Sequence, residues 1–197
     1  MTTALTDDLP VPDALNRYFQ ESGFAPDGGY SDNWVKFMLG PIPFWLPNTS
    51  ARVYAVRYHD LNHIATGYPS THWRGEFQIS AWEIGSGCGD AHAAWFINLA
   101  GMFTGLLLMP LDTFDAFVRG RRSRRLYNQD YNQLLTLRVG ELRQKVGADE
   151  RQGPATAEER RAFVGWSAAA AAVGLIWLVA YLTPPALVIW GLWRLMS

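Results

Sequence analysis

The sequence contains little cysteine and little histidine. Among its 197 residues, one is cysteine and four are histidine. The single cysteine, Cys88, excludes an intramolecular disulfide and a zinc site built from several thiolates. Residues 1–13 carry neither a basic start nor a long apolar run, so we expect no secretory signal and no arginine-rich transit peptide. The net charge of −1 provides no overall basic field, so nucleic acid is not an expected partner.

Charge is also scarce at the C-terminal end, where Arg194 is the only charged residue after Arg161. A helix over the uncharged residues 162–182 would be about 31 Å long, and the hydrocarbon core of a bilayer is roughly 30 Å thick. The prolines at 184 and 185 are expected to end it. We therefore predict that residues 162–197 form a membrane anchor. The alternative is a buried, alanine-rich core helix that docks on the domain.

Polar and apolar residues in the rest of the chain alternate with helical periodicity, and nine tryptophans accompany them. One predicted helix runs through Met38, and the prolines between 41 and 47 predict a stiff extended connector. The predicted fold is all-α, a multi-helix globular domain followed by a C-terminal hydrophobic, transmembrane helix. The expected divisions are an N-terminal segment with a short helix at 1–32, a helical metal- and lipid-binding domain at 33–147, a linker at 148–161 and the anchor at 162–197.

The strongest chemical signal is the segment His59-Asp60-Leu61-Asn62-His63. On a helix, the two histidines and Asp60 fall within an arc of ~100°, and two imidazoles beside a carboxylate suit a divalent metal. Glu76 is the first downstream carboxylate, and the turn after Gly67 would bring it back to the pair as a fourth ligand. The alternative is that one histidine binds a backbone carbonyl and Asp60 pairs with Arg57.

Such a ligand set admits zinc, iron(II) or manganese. The sequence lacks the His-Glu-x-x-His motif of zinc proteases and the paired Glu-x-x-His motifs of di-iron bundles. Glu83, seven residues after Glu76, is a candidate general base or a partner of the metal ligands, or alternatively an exposed acid.

Two further segments have two interpretations each. The uncharged run 93–109 is either a core helix or one wall of a channel for a prenyl or acyl chain, and its Gly101 and Gly105 would let a neighbour approach closely. The five arginines between 119 and 125 either touch anionic lipid headgroups or form a solvated helix end. By the positive-inside rule, these arginines and the pair at 160–161 place the domain in the cytoplasm.

The run from His59 to Pro69, followed by Gly75-Glu76, resembles the HDxxH…GE signature of the fourth coenzyme Q (ubiquinone) biosynthesis protein family. Segments 44–46, 120–127 and 139–143 are also similar to that family, and the similarity covers roughly residues 33–147. Here 12 residues separate the second histidine from the glutamate, against 11 in the family.

The resemblance implies an all-α fold and one divalent metal, usually zinc, held by His59, Asp60, His63 and Glu76. It also implies a polyprenylated quinone-ring precursor as substrate, and oxidative decarboxylation and hydroxylation at ring carbon C1. The partners expected are this lipid or another, the membrane, other quinone-biosynthesis proteins and a second copy of the chain. The protein would sit on the cytoplasmic face of the inner (plasma) membrane. The alternatives are a non-enzymatic lipid-binding scaffold and a metal-dependent lipid hydrolase.

Overall fold

The structure, a computed structural model, describes residues 5–39, 42–148 and 153–196. Within these ranges the chain is helical apart from one small antiparallel hairpin, which confirms the predicted all-α fold. In chain order, the elements are α1 (Val11–Ser22), β1 (Trp34–Leu39), β2 (Ile42–Pro47), α2 (Ser50–Thr66), α3 (Trp73–Ser86), α4 (His92–Leu108), α5 (Pro110–Arg121), α6 (Tyr131–Leu135), α7 (Val139–Val146) and α8 (Ala157–Met196).

The hairpin corrects the prediction of a helix through Met38 and of an unpaired connector over the prolines. β1 and β2 pair antiparallel, with Trp34 opposite Pro47 and Lys36 opposite Trp45. Each strand of a two-stranded ribbon has one edge without a strand partner, so proline can enter it although proline has no N–H to donate. Trp34 and Trp45 are 59% and 57% exposed, so these two rings lie on the surface.

α2 and α3 form an antiparallel pair whose ends are set by local chemistry. The Thr49 hydroxyl accepts the N–H of Arg52 and caps α2. Gly67 ends that helix with φ 76°, a left-handed conformation in which glycine is not strained. At Gly75 a Cβ would lie 1.8 Å from the Pro69 carbonyl oxygen, so only glycine permits this close approach of the turn to α3.

α4 and α5 pack closely on α3, and glycines make this possible. A Cβ at Gly85 would lie 2.3 Å from the carbonyl oxygen of Phe117, and a Cβ at Gly120 would lie 2.1 Å from that of Trp82. Gly101 of α4 lies against Ser80 and Gly105 against Thr113, so the predicted close approach at these two glycines is confirmed. The inner face of α4 is part of the core, which includes Ala94, Asn98, Leu99 and Met102.

Four of the five clustered arginines bind protein groups, and one of these, Arg121, lies 3.6 Å from the carboxylate of Glu158. Arg119 donates to the carbonyl of Thr66 and lies over the Tyr68 ring, and Arg124 donates to the carbonyls of Gln144 and Lys145. Arg122 forms a bidentate ion pair with Glu159 at 2.7 and 2.9 Å. These arginines join helices and loops, which neither of the two predicted interpretations included.

α8 begins inside the segment predicted as a linker. Thr156 and Glu159 exchange hydrogen bonds of 2.8 and 3.2 Å, which confirms the reciprocal capping expected from a threonine followed three residues later by a glutamate. Its part Ala157–Thr183 is long and apolar enough to cross a membrane, with a mean hydropathy of 1.9 in its most apolar stretch. The prediction that Pro184 and Pro185 end the helix is wrong, since it continues to Met196.

Candidate metal centre

Side chains from α2 and α3 converge at one point of the fold. The Nε2 atoms of His59 and His63, one turn apart on α2, are 3.1 Å from each other. Glu76, in the first turn of α3, places Oε2 at 3.4 Å from His59 Nε2 and Oε1 at 3.5 Å from His63 Nε2. These three residues each offer one ligand atom, and the atoms all lie within 4.8 Å of one another.

The spacing of the three ligand atoms fits a divalent metal. In a tetrahedral site with metal–nitrogen bonds of about 2.0–2.1 Å, neighbouring ligand atoms lie roughly 3.4 Å apart. The two histidine nitrogens are 3.1 Å apart, and each lies 3.4 or 3.5 Å from a different oxygen of the Glu76 carboxylate, distances close to that value. Two imidazoles and one carboxylate are also a donor set that zinc, iron(II) and manganese accept.

The other ring nitrogen of each histidine is hydrogen-bonded away from this point. His63 Nδ1 lies 2.8 Å from the carbonyl oxygen of Tyr68, and because a carbonyl only accepts, this nitrogen carries the proton. His59 Nδ1 lies 2.9 Å from Oε1 of Glu83 and donates to this carboxylate in the same way. In the neutral rings both Nε2 atoms then keep their lone pairs, as a metal ligand requires.

Glu83 is fully buried, so the alternative of an exposed acid is wrong. Its carboxylate accepts hydrogen bonds from Asn62 at 3.0 Å and from the Tyr127 hydroxyl at 2.6 Å, and a further one from Asn98. Burial raises the pKa of this carboxyl, but the His59 ring and the donated hydrogen bonds outweigh burial and hold the pKa below its usual range. Glu83 therefore stays ionised and orients His59.

No sequence pattern indicated the role of Tyr127, which lies 44 residues beyond Glu83. Asn98 was visible as the main polar interruption of an apolar helix, and Asn62 lies within the His59–His63 segment itself. A buried asparagine at such a position requires a partner, and that requirement was the available signal.

Asp60 points to a different set of groups. Its carboxylate accepts hydrogen bonds from the hydroxyls of Tyr18, at 3.2 Å, and Tyr30. Burial raises the pKa of Asp60 to about 6. Arg57, its predicted alternative partner, lies over the rings of Tyr30 and Tyr131. Asp60 is outside the three-residue group described above, and its role as a metal ligand stays a prediction.

The centre is open to solvent on one side. The side chain of His63 is 1% exposed and that of His59 is 18% exposed, whereas that of Glu76 is 38% exposed. Burial alone would raise the pKa of Glu76, but the hydrogen bonds of His63 and His59, and the positive charge of these rings when they are protonated, lower the pKa by more, so the carboxylate stays ionised. Trp73, one turn before Glu76 on α3, is 59% exposed.

Comparisons with known proteins do not test the predicted family, which stays a prediction based on the motif. A scan against models of protein families, a search of curated proteins and a search of solved structures each found no significant match. The centre is therefore characterised by its own geometry: two oriented histidines and a solvent-facing glutamate on an antiparallel helix pair.

Proposed function

We propose that this chain is a membrane-anchored metalloprotein of ubiquinone biosynthesis that acts on a polyprenylated ring precursor. The observation that carries the metal part is the convergence of His59, His63 and Glu76, with both Nδ1 atoms already occupied. The quinone part rests on the resemblance of residues 59–76 to the HDxxH…GE signature. The membrane part rests on the length and composition of α8.

The roles of the individual residues follow from their contacts. His59, His63 and Glu76 would hold the metal, while Glu83 and the Tyr68 carbonyl fix the two rings. When bound, a divalent metal supplies Lewis-acid polarisation of a carboxylate or phenolate oxygen. The exposed side of Glu76 leaves room for such an oxygen, as a catalytic metal site requires.

Tyr18 would hold a proton beside the centre. Its ring centroid is 5.5 Å from that of His63, and its hydroxyl donates to Asp60. Burial raises the pKa of Tyr18 well above its usual range, and the nearby carboxylate of Asp60 raises it further. The hydroxyl therefore remains protonated and is a hydrogen-bond donor at physiological pH.

The proposed reaction is the oxidative decarboxylation and hydroxylation at ring carbon C1 that the resemblance implies. The proposed position of the domain is the cytoplasmic face of the inner membrane, and the arginines at 119–125 and 160–161 support it through the positive-inside rule. Other quinone-biosynthesis proteins and a second copy of the chain are the proposed protein partners. A scaffold in which the metal only joins two helices would be expected to close the coordination sphere, and the exposure of Glu76 favours the catalytic alternative.

The metal is tested first, by elemental analysis of the purified chain. We expect about one divalent metal per chain in the wild type and near-complete loss of it in His63→Ala. His92→Ala is the matched control, because this exposed histidine opens α4, outside the converging group. Equal metal content in the wild type and His63→Ala would overturn the assignment.

The quinone assignment is tested in a strain that lacks the gene. A C1-carboxylated, prenylated ring compound should accumulate there, and the His92→Ala chain but not the His63→Ala chain should remove it. Normal quinone pools in the deletion strain would contradict the proposed pathway while leaving the metal assignment intact.

A further inference from the structure

The first half of α8 is packed into the globular domain. Trp166 stacks on Trp95 of α4, with ring centroids 4.9 Å apart and planes inclined by 11°. Phe163 makes edge-to-face contacts with Phe114 and Phe117 of α5, at 5.0 and 5.4 Å. These contacts pack one face of the beginning of α8 against the core of the domain, while the opposite face stays exposed.

This packing ends near Trp177. Gly174 lies against the Phe103 ring so closely that a Cβ would be 2.1 Å from it, and Trp177 contacts Phe96 at 5.5 Å. Among the described residues, the ring contacts between α8 and the domain end there. Several large apolar side chains beyond this point are about half exposed or more, namely Leu178, Val179, Leu182 and Trp190.

The packed half is poorly suited to lie in hydrocarbon. Its partner α5 carries Asp115, and Arg122, the residue directly after α5, is ion-paired with Glu159 in the first turn of α8. If residues 163–177 lay at the centre of a bilayer, α5 and these charges would be drawn in with them, and burying charges in lipid is costly.

The second half is suited to hydrocarbon on length and composition. Residues 175–196 are helical, and 22 residues at ~1.5 Å each span about 33 Å, against roughly 30 Å of hydrocarbon. Arg194 is the only charged residue among them, and it lies over the Trp190 ring at 5.0 Å. A tryptophan with a basic residue near the end of an apolar helix is typical of a membrane–water interface.

We propose that the segment inserted in the bilayer is residues 175–196, and that residues 157–174 form a stalk fixed to α4 and α5. The occupant of the exposed distal surface is lipid hydrocarbon. This assignment moves the membrane boundary by about a dozen residues from the stretch 162–182 that hydropathy favours. It rests on the membrane part of the proposed function only, and not on the metal or the substrate.

Two exposed valines on α8 distinguish the two boundaries. Val164 is 68% exposed and Val179 is 64% exposed, and their separation of 15 positions corresponds to about 22 Å of helix. A nitroxide label would be attached to Val164→Cys and Val179→Cys in the full chain, reconstituted in phosphatidylcholine–phosphatidylglycerol vesicles. The native Cys88 is fully buried and is not expected to react.

The depth of each label is read from its collisions with oxygen, which concentrates in hydrocarbon, and with a water-soluble nickel chelate. We expect the label at 179 to favour oxygen by at least several-fold and the label at 164 to favour nickel. Equal depth at both sites, or the reverse order, would overturn the stalk. A label at 179 shielded from both reagents would show protein contact with a second copy, and would overturn the lipid assignment.

Flotation of the same samples separates the failure of this inference from failure of the anchoring itself. Chains that float with the vesicles but show the wrong depth order overturn only the boundary. Chains that do not float overturn both the boundary and the membrane part of the proposed function. Neither result changes the metal content, which is measured independently.

Discussion

At the scale of single residues, Glu83 determines which nitrogen of His59 faces the candidate metal. Its carboxylate is fully buried and accepts from His59, Asn62, Asn98 and Tyr127. A buried carboxylate with this many donors is held rigidly, and so is the ring that it binds. Partners of this kind raise ligand basicity and contribute to metal affinity without touching the metal.

Replacement of Glu83 by glutamine should therefore weaken metal binding. The amide lacks the negative charge that favours a proton on His59 Nδ1, so we expect the affinity for zinc to fall by roughly 10–100-fold. Competition with a chromophoric chelator measures this change. Glu21→Gln, an exposed glutamate on α1, is the control and should bind zinc as the wild type does. Unchanged affinity in Glu83→Gln would remove Glu83 from the metal centre.

Part of this centre could be predicted from sequence because its spacing is local. His59 and His63 are four residues apart on one helix, and a glycine-ended turn returns the chain to Glu76. The environment of Glu83 could not be predicted in this way. It depends on which side of α3 meets α2, α4 and Tyr127, and those contacts join positions up to 44 residues apart.

At the scale of elements, the crossing of α3 and α5 depends on two glycines, one on each helix. Each glycine lies against the backbone of the other helix. The Cα of Gly85 approaches the Phe117 carbonyl, while Gly120 approaches the Trp82 carbonyl. Because backbone atoms cannot move aside as flexible side chains do, a methyl group at either position must push the helices apart. The same helix α3 carries Glu76 and Glu83, so the crossing also positions the metal centre.

Gly85→Ala should accordingly destabilise the protein by about 1–3 kcal/mol, because a methyl group would overpack the crossing. Gly165→Ala is the matched control on α8, where a Cβ meets nothing within 4 Å. In that exposed helix, alanine should stabilise by roughly 0.5–1 kcal/mol. Chemical unfolding of the solubilised chains measures both changes. A crossing that tolerates Gly85→Ala as well as Gly165→Ala would show that α3 and α5 can separate freely.

The hairpin is an element that the sequence did not predict. Its prolines at 43 and 47 indicated a break in regular structure, but the strand pairing satisfies other backbone groups along β1 and β2. Hydropathy likewise identified α8 as apolar but could not predict that Trp166 stacks on Trp95. Burial against a domain and burial in lipid favour the same apolar residues, so hydropathy does not distinguish them.

At the scale of the whole molecule, the first half of α8 packs on the domain, and the second half is the segment proposed to enter the membrane. Its beginning is capped by Thr156 and tied to α5 through Glu159, and its packed face completes the core around Phe163 and Trp166. The domain predicted at 33–147 is therefore completed by residues that follow it. Removing all of α8 exposes the rings of Trp95, Phe114 and Phe117 on the domain side.

Two truncations should consequently behave differently. A chain ending at Leu178 keeps the packed half of α8, and we expect it to leave the membrane pellet and to melt close to the full chain. A chain ending at Gly153 also loses the anchor, but it loses the aromatic contacts as well, each worth about 0.5–1.5 kcal/mol beyond its buried area. Its melting temperature should be clearly lower, by calorimetry or fluorescence.

Similar melting temperatures for the two truncated chains would show that α8 adds nothing to the domain core. Retention of the shorter chain in the membrane pellet would show that other parts of the protein also bind lipid. The exposed Trp34 and Trp45 of the hairpin would then be the first residues to replace.

The continuity of α8 from Thr156 to Met196 also sets the angular orientation of the domain. An uninterrupted helix transmits rotation, so each residue inserted just after Trp177 would turn the domain by about 100° around the helix axis and lift it by ~1.5 Å. A flexible tether would absorb such an insertion. If the distal half is inserted as proposed, the length of α8 therefore fixes the direction in which the opening beside Glu76 faces relative to the membrane.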